Sequence, residues 1–225
     1  MKEKDFSKRL TTGADRIGIE LDERAVSLLY YYFRELKQWN RRVNLIAKGT
    51  NDETIVEKHF IDSLALLGCV DEKCDRILDV GSGAGFPGLV CRIARPGLHI
   101  DLAEPRLKRV SFLRHIGRSC RLDDLQVLPQ RLEPENGMGP DRQYNCITCR
   151  AVADIASFLA LCSYFRDSNT RIICMKGPKF KEELKDANGM MANWNLVQVS
   201  KYHLPYSGSL RALLIFKKKG NAVFQ

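Results

Sequence analysis

The chain has 225 residues, with 36 Lys and Arg against 27 Asp and Glu, a formal net charge of +9. Hydrophobic residues make up 44% and charged residues 28%, ordinary globular proportions that exclude a collagen, an acidic disordered tail and a bundle of membrane spans. The length suits one domain with an extension. The charge favours a polyanionic partner, nucleic acid or an anionic surface.

Met1 to Thr12 is polar and mixed in charge, without the apolar core of a signal peptide. Of the eight cysteines, Cys69, Cys91, Cys146, Cys162 and Cys174 sit inside apolar segments. That placement is expected of buried, reduced thiols in a cytoplasmic protein, not of a disulfide framework.

The first third reads as helix. Leu21, Ala25, Leu28, Leu29, Tyr32, Phe33, Leu36 and Trp39 form a stripe of period 3.6 over 21–39. Asn40, Asn44, Gly49 and Asn51 mark a loop. A second helix fits 55–67, with Ile55, Phe60, Leu64 and Leu67 inward. No strand signal precedes about residue 75. We therefore expect a helical extension over 1–70 and a second region over 71–225, together one compact unit.

From there strands alternate with helices. Strands are expected at 77–80, 98–103, 124–128, 144–148 and 171–175. Helices are expected at 86–95, 106–118 (Leu107, Val110, Leu113 and Ile116 inward), 154–165 and 179–187. Two last strands, 196–203 and 210–217, flank the turn Pro205-Tyr206-Ser207-Gly208. This alternation specifies an α/β fold, a doubly wound and mostly parallel sheet with an antiparallel edge.

The strongest local signal is Asp79-Val80-Gly81-Ser82-Gly83-Ala84-Gly85-Phe86-Pro87-Gly88. A strand precedes it and a helix follows, the context in which a glycine turn brings a ligand against the main chain. Glu104 ends the next strand, where a carboxylate can bind both hydroxyls of an adenosine ribose. Gly83, Gly85 and Gly88 satisfy the dinucleotide pattern G-x-G-x-x-G. Asp79, Gly81, Gly83 and Gly85 satisfy D-x-G-x-G-x-G, the pattern of S-adenosylmethionine sites. The second is favoured, because a carboxylate at Asp79 suits a free amino group and repels a pyrophosphate.

Several further residues suggest chemistry. His59, Asp62 and Ser63 lie on one helix face and resemble a hydrolase triad, but triad members converge from separate elements; a polar cluster closing the cofactor pocket fits better. Cys146 and Cys149 form a lone Cys-x-x-Cys, two ligands short of a zinc site, and no metal is expected. Cys149, at the end of the fourth strand, would serve a cytosine-C5 methyltransferase as nucleophile. A non-enzymatic RNA-binding module is a further alternative. Six Lys or Arg and no Asp or Glu fall within 106–121. Lysines at 176–185 and 217–219 add to this positive charge, which suits phosphate contacts that read no sequence.

Beyond the glycine turn, the chain carries Trp39-Asn40-Arg41-Arg42-Val43-Asn44-Leu45, Glu57-Lys58-His59-Phe60-Ile61-Asp62-Ser63-Leu64 and Lys108-Arg109-Val110-Ser111-Phe112-Leu113. It also carries Arg150-Ala151-Val152-Ala153 and Met175-Lys176-Gly177. With Ile77 to Gly88 these resemble, in order, the bacterial RsmG (GidB) family of 16S rRNA guanine-N7 methyltransferases. The resemblance implies a Rossmann-like methyltransferase fold with an N-terminal helical extension. It implies S-adenosylmethionine as cofactor, and 16S rRNA or the small ribosomal subunit as partner. It places the cofactor against Gly81 and Phe86, and the adenine beside Leu132 and Glu133. Arg150 should face the methionine end or the target base. His59, Arg150, Lys176 and Arg211 are candidates for positioning base or RNA. The chain departs from the family at Glu104, usually Asp, and at Leu132, usually Ala. It departs also at Cys149, usually Ser, and at Ile46, usually Thr. Guanine N7 carries a free lone pair, so its methylation requires no general base. Nothing in the sequence demands more than a monomer.

Overall fold

The computed structural model describes residues 1–70, 76–132, 143–151, 153–165 and 169–219. Seven strands form one sheet: β1 (Arg76–Val80), β2 (His99–Ala103), β3 (Leu125–Leu128), β4 (Cys146–Arg150), β5 (Arg171–Lys176), β6 (Trp194–His203) and β7 (Leu210–Lys218). Their order is β3-β2-β1-β4-β5-β7-β6. The first five run parallel, and β7 lies antiparallel between β5 and β6. The order reverses between β1 and β4, the switch point beside whose carboxyl ends open α/β sheets bind ligands. The near-continuous apolar runs of β1, β4 and β5 follow from burial on both faces.

Four of the helices lie outside the N-terminal region: α5 (Gly88–Ala94), α6 (Leu107–Ser119), α7 (Ile155–Cys162) and α8 (Phe180–Asp186). In α6, Val110, Leu113 and Ile116 are buried as their spacing requires, but Leu107 is 70% exposed. It opens the helix beside the cleft and lies outside the packed stripe. β4 is displaced from the expected 144–148, because its ladder continues until Arg150 pairs with Met175. Asp154 caps α7, accepting from Ser157 N at 2.8 Å.

The N-terminal region begins with a helix that the sequence reading passed over, α1 (Glu3–Arg16). Its apolar stripe is only Phe6, Leu10 and Ala14, spaced four apart and fully buried. α2 (Glu23–Asn40) follows, capped by Asp22. The expected second helix is one helical run of four pieces: α3 (Asp52–Ile55), a π turn (Val56–Ile61), α4 (Asp62–Leu64) and a 3₁₀ turn (Ala65–Cys69). Ile55, Phe60, Leu64 and Leu67 are buried as expected. The π turn widens the helix where its polar residues meet the rest of the protein, a frequent place for such turns.

The helical region and the sheet share a hydrophobic core that runs from Phe6, Leu29 and Phe33 to Leu89, Ile100 and Phe112. A second core, with Ile147, Phe158 and Trp194, fills the opposite face of the sheet. Polar contacts fasten the extension to the β6–β7 hairpin. Glu57 Oε1 accepts from the amides of Tyr206 and Ser207, each at 2.7 Å, and Tyr206 donates to Arg9 O at 2.6 Å. The Arg9 guanidinium lies 3.8 Å from the centre of the Tyr206 ring.

Candidate active site

A cleft of about 1280 Å³ opens at the carboxyl ends of β1, β2 and β4, the position the switch point dictates. One wall is the glycine turn. Gly81, Gly83 and Gly85 all have positive φ, at 67°, 60° and 101°, a backbone conformation costly for any residue with a β-carbon. Gly81 and Gly83 line the cleft. Gly85 and Gly88 serve packing: a β-carbon would lie 2.5 Å from Leu89 Cδ1 at Gly85, and 2.4 Å from Leu102 Cδ2 at Gly88.

Two carboxylates hold this turn. Glu104, at the end of β2 and only 2% exposed, lines the cleft. Its Oε2 accepts from Gly83 N at 3.0 Å and its Oε1 from Arg106 N at 2.9 Å. Each oxygen keeps lone-pair capacity for a ribose hydroxyl. Asp79, expected to contact the cofactor, is wholly buried behind the turn and lies outside the cleft lining. Asp79 Oδ2 accepts from Gly88 N at 2.9 Å, while Oδ1 has no hydrogen-bond partner. Burial raises its pKa to about 6.

These contacts separate the two cofactor patterns. The first amide of α5 is already bonded to Asp79, so it is not free for a pyrophosphate. On the cleft wall itself, the Glu104 carboxylate favours a ligand with hydrogen-bond donors there. The residues present fit S-adenosylmethionine: Glu104 would hold its ribose, and the main chain of Gly81 to Gly83 would lie beside its methionine part. Leu132, 8% exposed, lines the cleft beyond β3 together with Gln130 and Arg131, at the side where the adenine is expected. Glu133 lies outside the described residues.

The facing wall is built from the π turn, β4 and the hairpin. Arg150 ends β4, and its Nη1 donates to Lys58 O at 2.9 Å and lies 3.3 Å from Asp62 Oδ2. Its Nη2 is 3.2 Å from His59 Nδ1. Phe86 lies under both groups, with the His59 ring stacked at 5.0 Å and the Arg150 guanidinium at 5.1 Å. Asp62, 5% exposed, also accepts from Tyr202 Oη at 2.8 Å and pairs with Arg211 Nε at 3.2 Å. Burial, then the charges of Arg150 and Lys58, lower the His59 pKa to about 3, so the ring is neutral at physiological pH.

Of the expected positioning residues, His59, Arg150 and Arg211 thus converge on one cluster. Lys176 also lines the cleft, but its side chain is buried. Its Nζ donates to Ala153 O at 2.7 Å and pairs with Glu183 at 2.7 Å. It braces the turn after β4, in which Ala151 holds φ 57°; it does not present a free cation to RNA. Two contributors escaped the sequence reading. Tyr32, read as a core residue of α2, donates its hydroxyl to Ala84 O in the glycine turn. Tyr202, on β6, carries no local signal beyond that of a strand residue, and its hydroxyl reaches Asp62.

The rival chemistries lose their geometry here. Ser63 Oγ, fully buried, is bonded to His59 O, one helical turn back, so it is no nucleophile. Cys149 is buried in the second core, and burial pushes its thiol pKa far up, the reverse of what thiolate attack requires. Cys146 packs in the other core, on the opposite face of the sheet. Three residues apart on one strand, the two thiols point away from each other and cannot share one ion. Among the described residues, no three His, Cys, Asp or Glu side chains are grouped as metal ligands, and no helix is long and apolar enough to cross a membrane.

Residues 25–210 match the family model described as rRNA small subunit methyltransferase G. A protein named ribosomal RNA small subunit methyltransferase G from Desulfotalea psychrophila is 46% identical over 215 residues, covering 95% of this chain and 99% of its own. A protein of that name from Syntrophus aciditrophicus is 35% identical, over 91% of this chain and 86% of its own. Among solved structures, a MtNAS variant in complex with S-adenosylmethionine superposes with TM-score 0.55 at 15% identity, over 96% of each chain. The ribosomal protein L11 methylase of Lactobacillus delbrueckii superposes with TM-score 0.55 at 10% identity, over 72% of this chain and 79% of its own. These two share the fold, a Rossmann-like methyltransferase sheet. The chain belongs to the rRNA small subunit methyltransferase G family.

Proposed function

We propose that the protein methylates N7 of a guanine in the 16S rRNA of the small ribosomal subunit, and that it works in the cytoplasm. S-adenosylmethionine supplies an electrophilic methyl group on a sulfonium centre. The observation that carries the N7 assignment is the absence of a poised base among the described polar groups of the cleft. His59 is held neutral with its Nδ1 facing Arg150. Asp62 is engaged by two guanidiniums and a phenol, Asp154 caps α7, and Glu183 pairs with Lys176. Such a wall suits an acceptor that already presents a lone pair, and N7 of guanine does.

The chain's own groups then act by positioning and by excluding water. Glu104 and the glycine turn fix one reactant. Arg150, over Phe86 and beside His59, forms the seat for the other. The cleft exceeds the usual range for a small-ligand site, about 300–1,000 Å³, which leaves room for a base beside the cofactor. Its rim carries Lys58, Arg106, Arg109 and Arg131, cations suited to phosphates.

The test is transfer of labelled methyl to intact ribosomes, 30S subunits and bare 16S rRNA, followed by mapping of the modified base through strand cleavage at N7-methylguanine. Label at one guanine N7 of 16S rRNA is expected. Label on cytosine, on another RNA or on protein would overturn the assignment.

A further inference from the structure

A second cavity, about 520 Å³, lies at the far end of α6 from the cleft. It is lined by Arg114, Arg118 and Arg121 and by one carboxylate, Asp123, with Gly117, Leu122, Leu125 and Val127 beneath them. The three arginines are exposed and follow at spacings of four and three, one face of the helix and its C-terminal turn. Arg114 reaches Val127 O at 3.4 Å on β3. Among the described residues, neither Arg118 nor Arg121 has an acidic side chain in a salt bridge.

The backbone here is unusual for the residue it carries. α6 ends with Leu122 N donating to Gly117 O at 2.9 Å and Arg121 N to Arg118 O at 3.1 Å. That is the Schellman pattern, in which the residue after the cap is left-handed and is usually glycine. Arg121 occupies that position at φ 49°. A residue with a β-carbon is disfavoured there, yet Arg121 adopts it. Positive charge also begins the helix: Arg106, Lys108 and Arg109 surround its first turn, which has no acidic residue, although a helix N-terminus favours anions. At the N-terminal end Arg109 pairs with Glu104 at 3.8 Å, and at the C-terminal end the helix dipole favours Arg118 and Arg121, but neither contact uses the exposed guanidiniums of the arginine cavity.

We infer that this face of α6 is a docking surface for an RNA phosphodiester backbone, remote from the target base. The helix starts at the cleft, where Arg106 forms part of the wall. Its thirteen residues carry the arginine cavity about 18 Å away at ~1.5 Å per residue. RNA held at both ends would be oriented over the cleft. The inference rests on the proposed function for the identity of the partner. Three exposed arginines that make no salt bridge among the described residues, and that outnumber the single carboxylate of Asp123 in this concavity, fit phosphates and read no sequence.

The experiment compares Arg121→Gly and Arg118→Ala with Lys4→Ala, and their combination with Lys4→Ala/Lys8→Ala, equal losses of charge on exposed α1. The probe is a 16S rRNA transcript titrated over a range of salt. The double variant is expected to bind about tenfold more weakly near ~0.1 M salt, with the slope of log K against log salt smaller by about 2. S-adenosylmethionine affinity is expected to be unchanged, and the melting temperature of Arg121→Gly unchanged or higher. RNA binding and salt slope of the double variant equal to those of Lys4→Ala/Lys8→Ala would overturn the inference. A lower melting temperature with intact RNA binding would overturn it as well, by assigning the arginines to the helix terminus alone. If the wild type binds rRNA with this dependence but transfers no methyl group, the proposed function fails and the surface stands. If the wild type methylates 16S rRNA and the variants bind as it does, the surface fails and the function stands.

Discussion

The Tyr32 hydroxyl, in the middle of α2, donates to the main-chain carbonyl of Ala84, in the middle of the glycine turn. Both residues are buried, and the Tyr32 ring stacks on Phe86 at 5.4 Å. The N-terminal extension therefore helps to shape the cofactor loop. Tyr32→Phe keeps the ring and removes the donor, leaving the Ala84 carbonyl unsatisfied. The expected cost is about 1–2 kcal/mol of stability, read by urea unfolding. S-adenosylmethionine should bind several-fold more weakly by calorimetry, with kcat nearly unchanged. Unaltered cofactor affinity would show that the loop keeps its shape without this bond.

Asp62 presents one carboxylate to Arg150, Arg211 and Tyr202. Removing it leaves two guanidiniums facing each other in a poorly solvated wall. Asp62→Ala should lose about 2–4 kcal/mol of stability, the scale for breaking a mostly buried pair with some solvent relief. Asp62→Asn keeps the shape and one acceptor, so it should fold. Its methyl transfer should fall at least tenfold, as Arg150 is no longer held over Phe86. Wild-type turnover in Asp62→Asn would detach the cluster from the reaction.

The strands, the glycine turn and the carboxylate at Glu104 could be read from sequence because each is local. A short apolar run, a turn that needs positive φ and a strand end carry their own signals. The contacts that build the wall opposite could not. His59, Asp62 and Ser63 were visible as neighbours in sequence, but the π turn separates their fates. Asp62 meets β4, β6 and β7, His59 stacks on Phe86, and Ser63 bonds its own helix. Partners about 90 or 140 residues away leave no periodicity behind. Tyr32 shows the same limit, since its ring belongs to an apolar stripe and nothing local reveals where its hydroxyl ends. Lys176 shows the converse: its charge suggested RNA, and tertiary packing put it against Ala153 and Glu183.

Two shifted groups give the fold opposing acid responses. The His59 pKa is lowered from 6.5 to about 3. Between those values the unfolded chain binds the proton that the folded protein refuses, so stability falls as pH drops through this window. The Asp79 pKa is raised from 3.8 to about 6. There the folded protein takes up the proton first, so stability rises as pH drops from about 6 to 3.8. His59→Gln should remove the first response, making the protein more resistant to mild acid than the wild type. Asp79→Asn should remove the second. Chemical unfolding at pH 7, 6 and 5 measures both, and parallel curves for wild type and His59→Gln would refute the assignment for His59.

Cys149 separates covalent chemistry from direct displacement. It is 1% exposed and packs among apolar residues of the second core. Cys149→Ser should retain methyl transfer within a few-fold, while losing about 1–2 kcal/mol because a hydroxyl replaces a thiol in an apolar site. Activity and thermal unfolding on the same preparation check both parts. Abolished transfer in a folded variant would restore the nucleophile reading.

The glycines of the turn divide into two kinds, and alanine distinguishes them. At Gly88 a β-carbon would fall 2.4 Å from Leu102 Cδ2 and 2.8 Å from Asp79 Oδ2. Gly88→Ala must therefore part α5 from β2, at about 1–3 kcal/mol. At Gly83 the nearest atoms to a β-carbon are 3.8 Å away, and φ is +60°. Gly83→Ala meets no clash, and its left-handed backbone costs only about 1–2 kcal/mol. However, the new methyl group would sit on the cleft wall, beside the amide that Glu104 accepts from. Gly88→Ala should thus show mainly as lost stability. Gly83→Ala should show mainly as lost affinity for S-adenosylmethionine, by tenfold or more. The reverse ordering in paired unfolding and calorimetric titrations would mean that Gly83, not Gly88, holds the sheet and helix together.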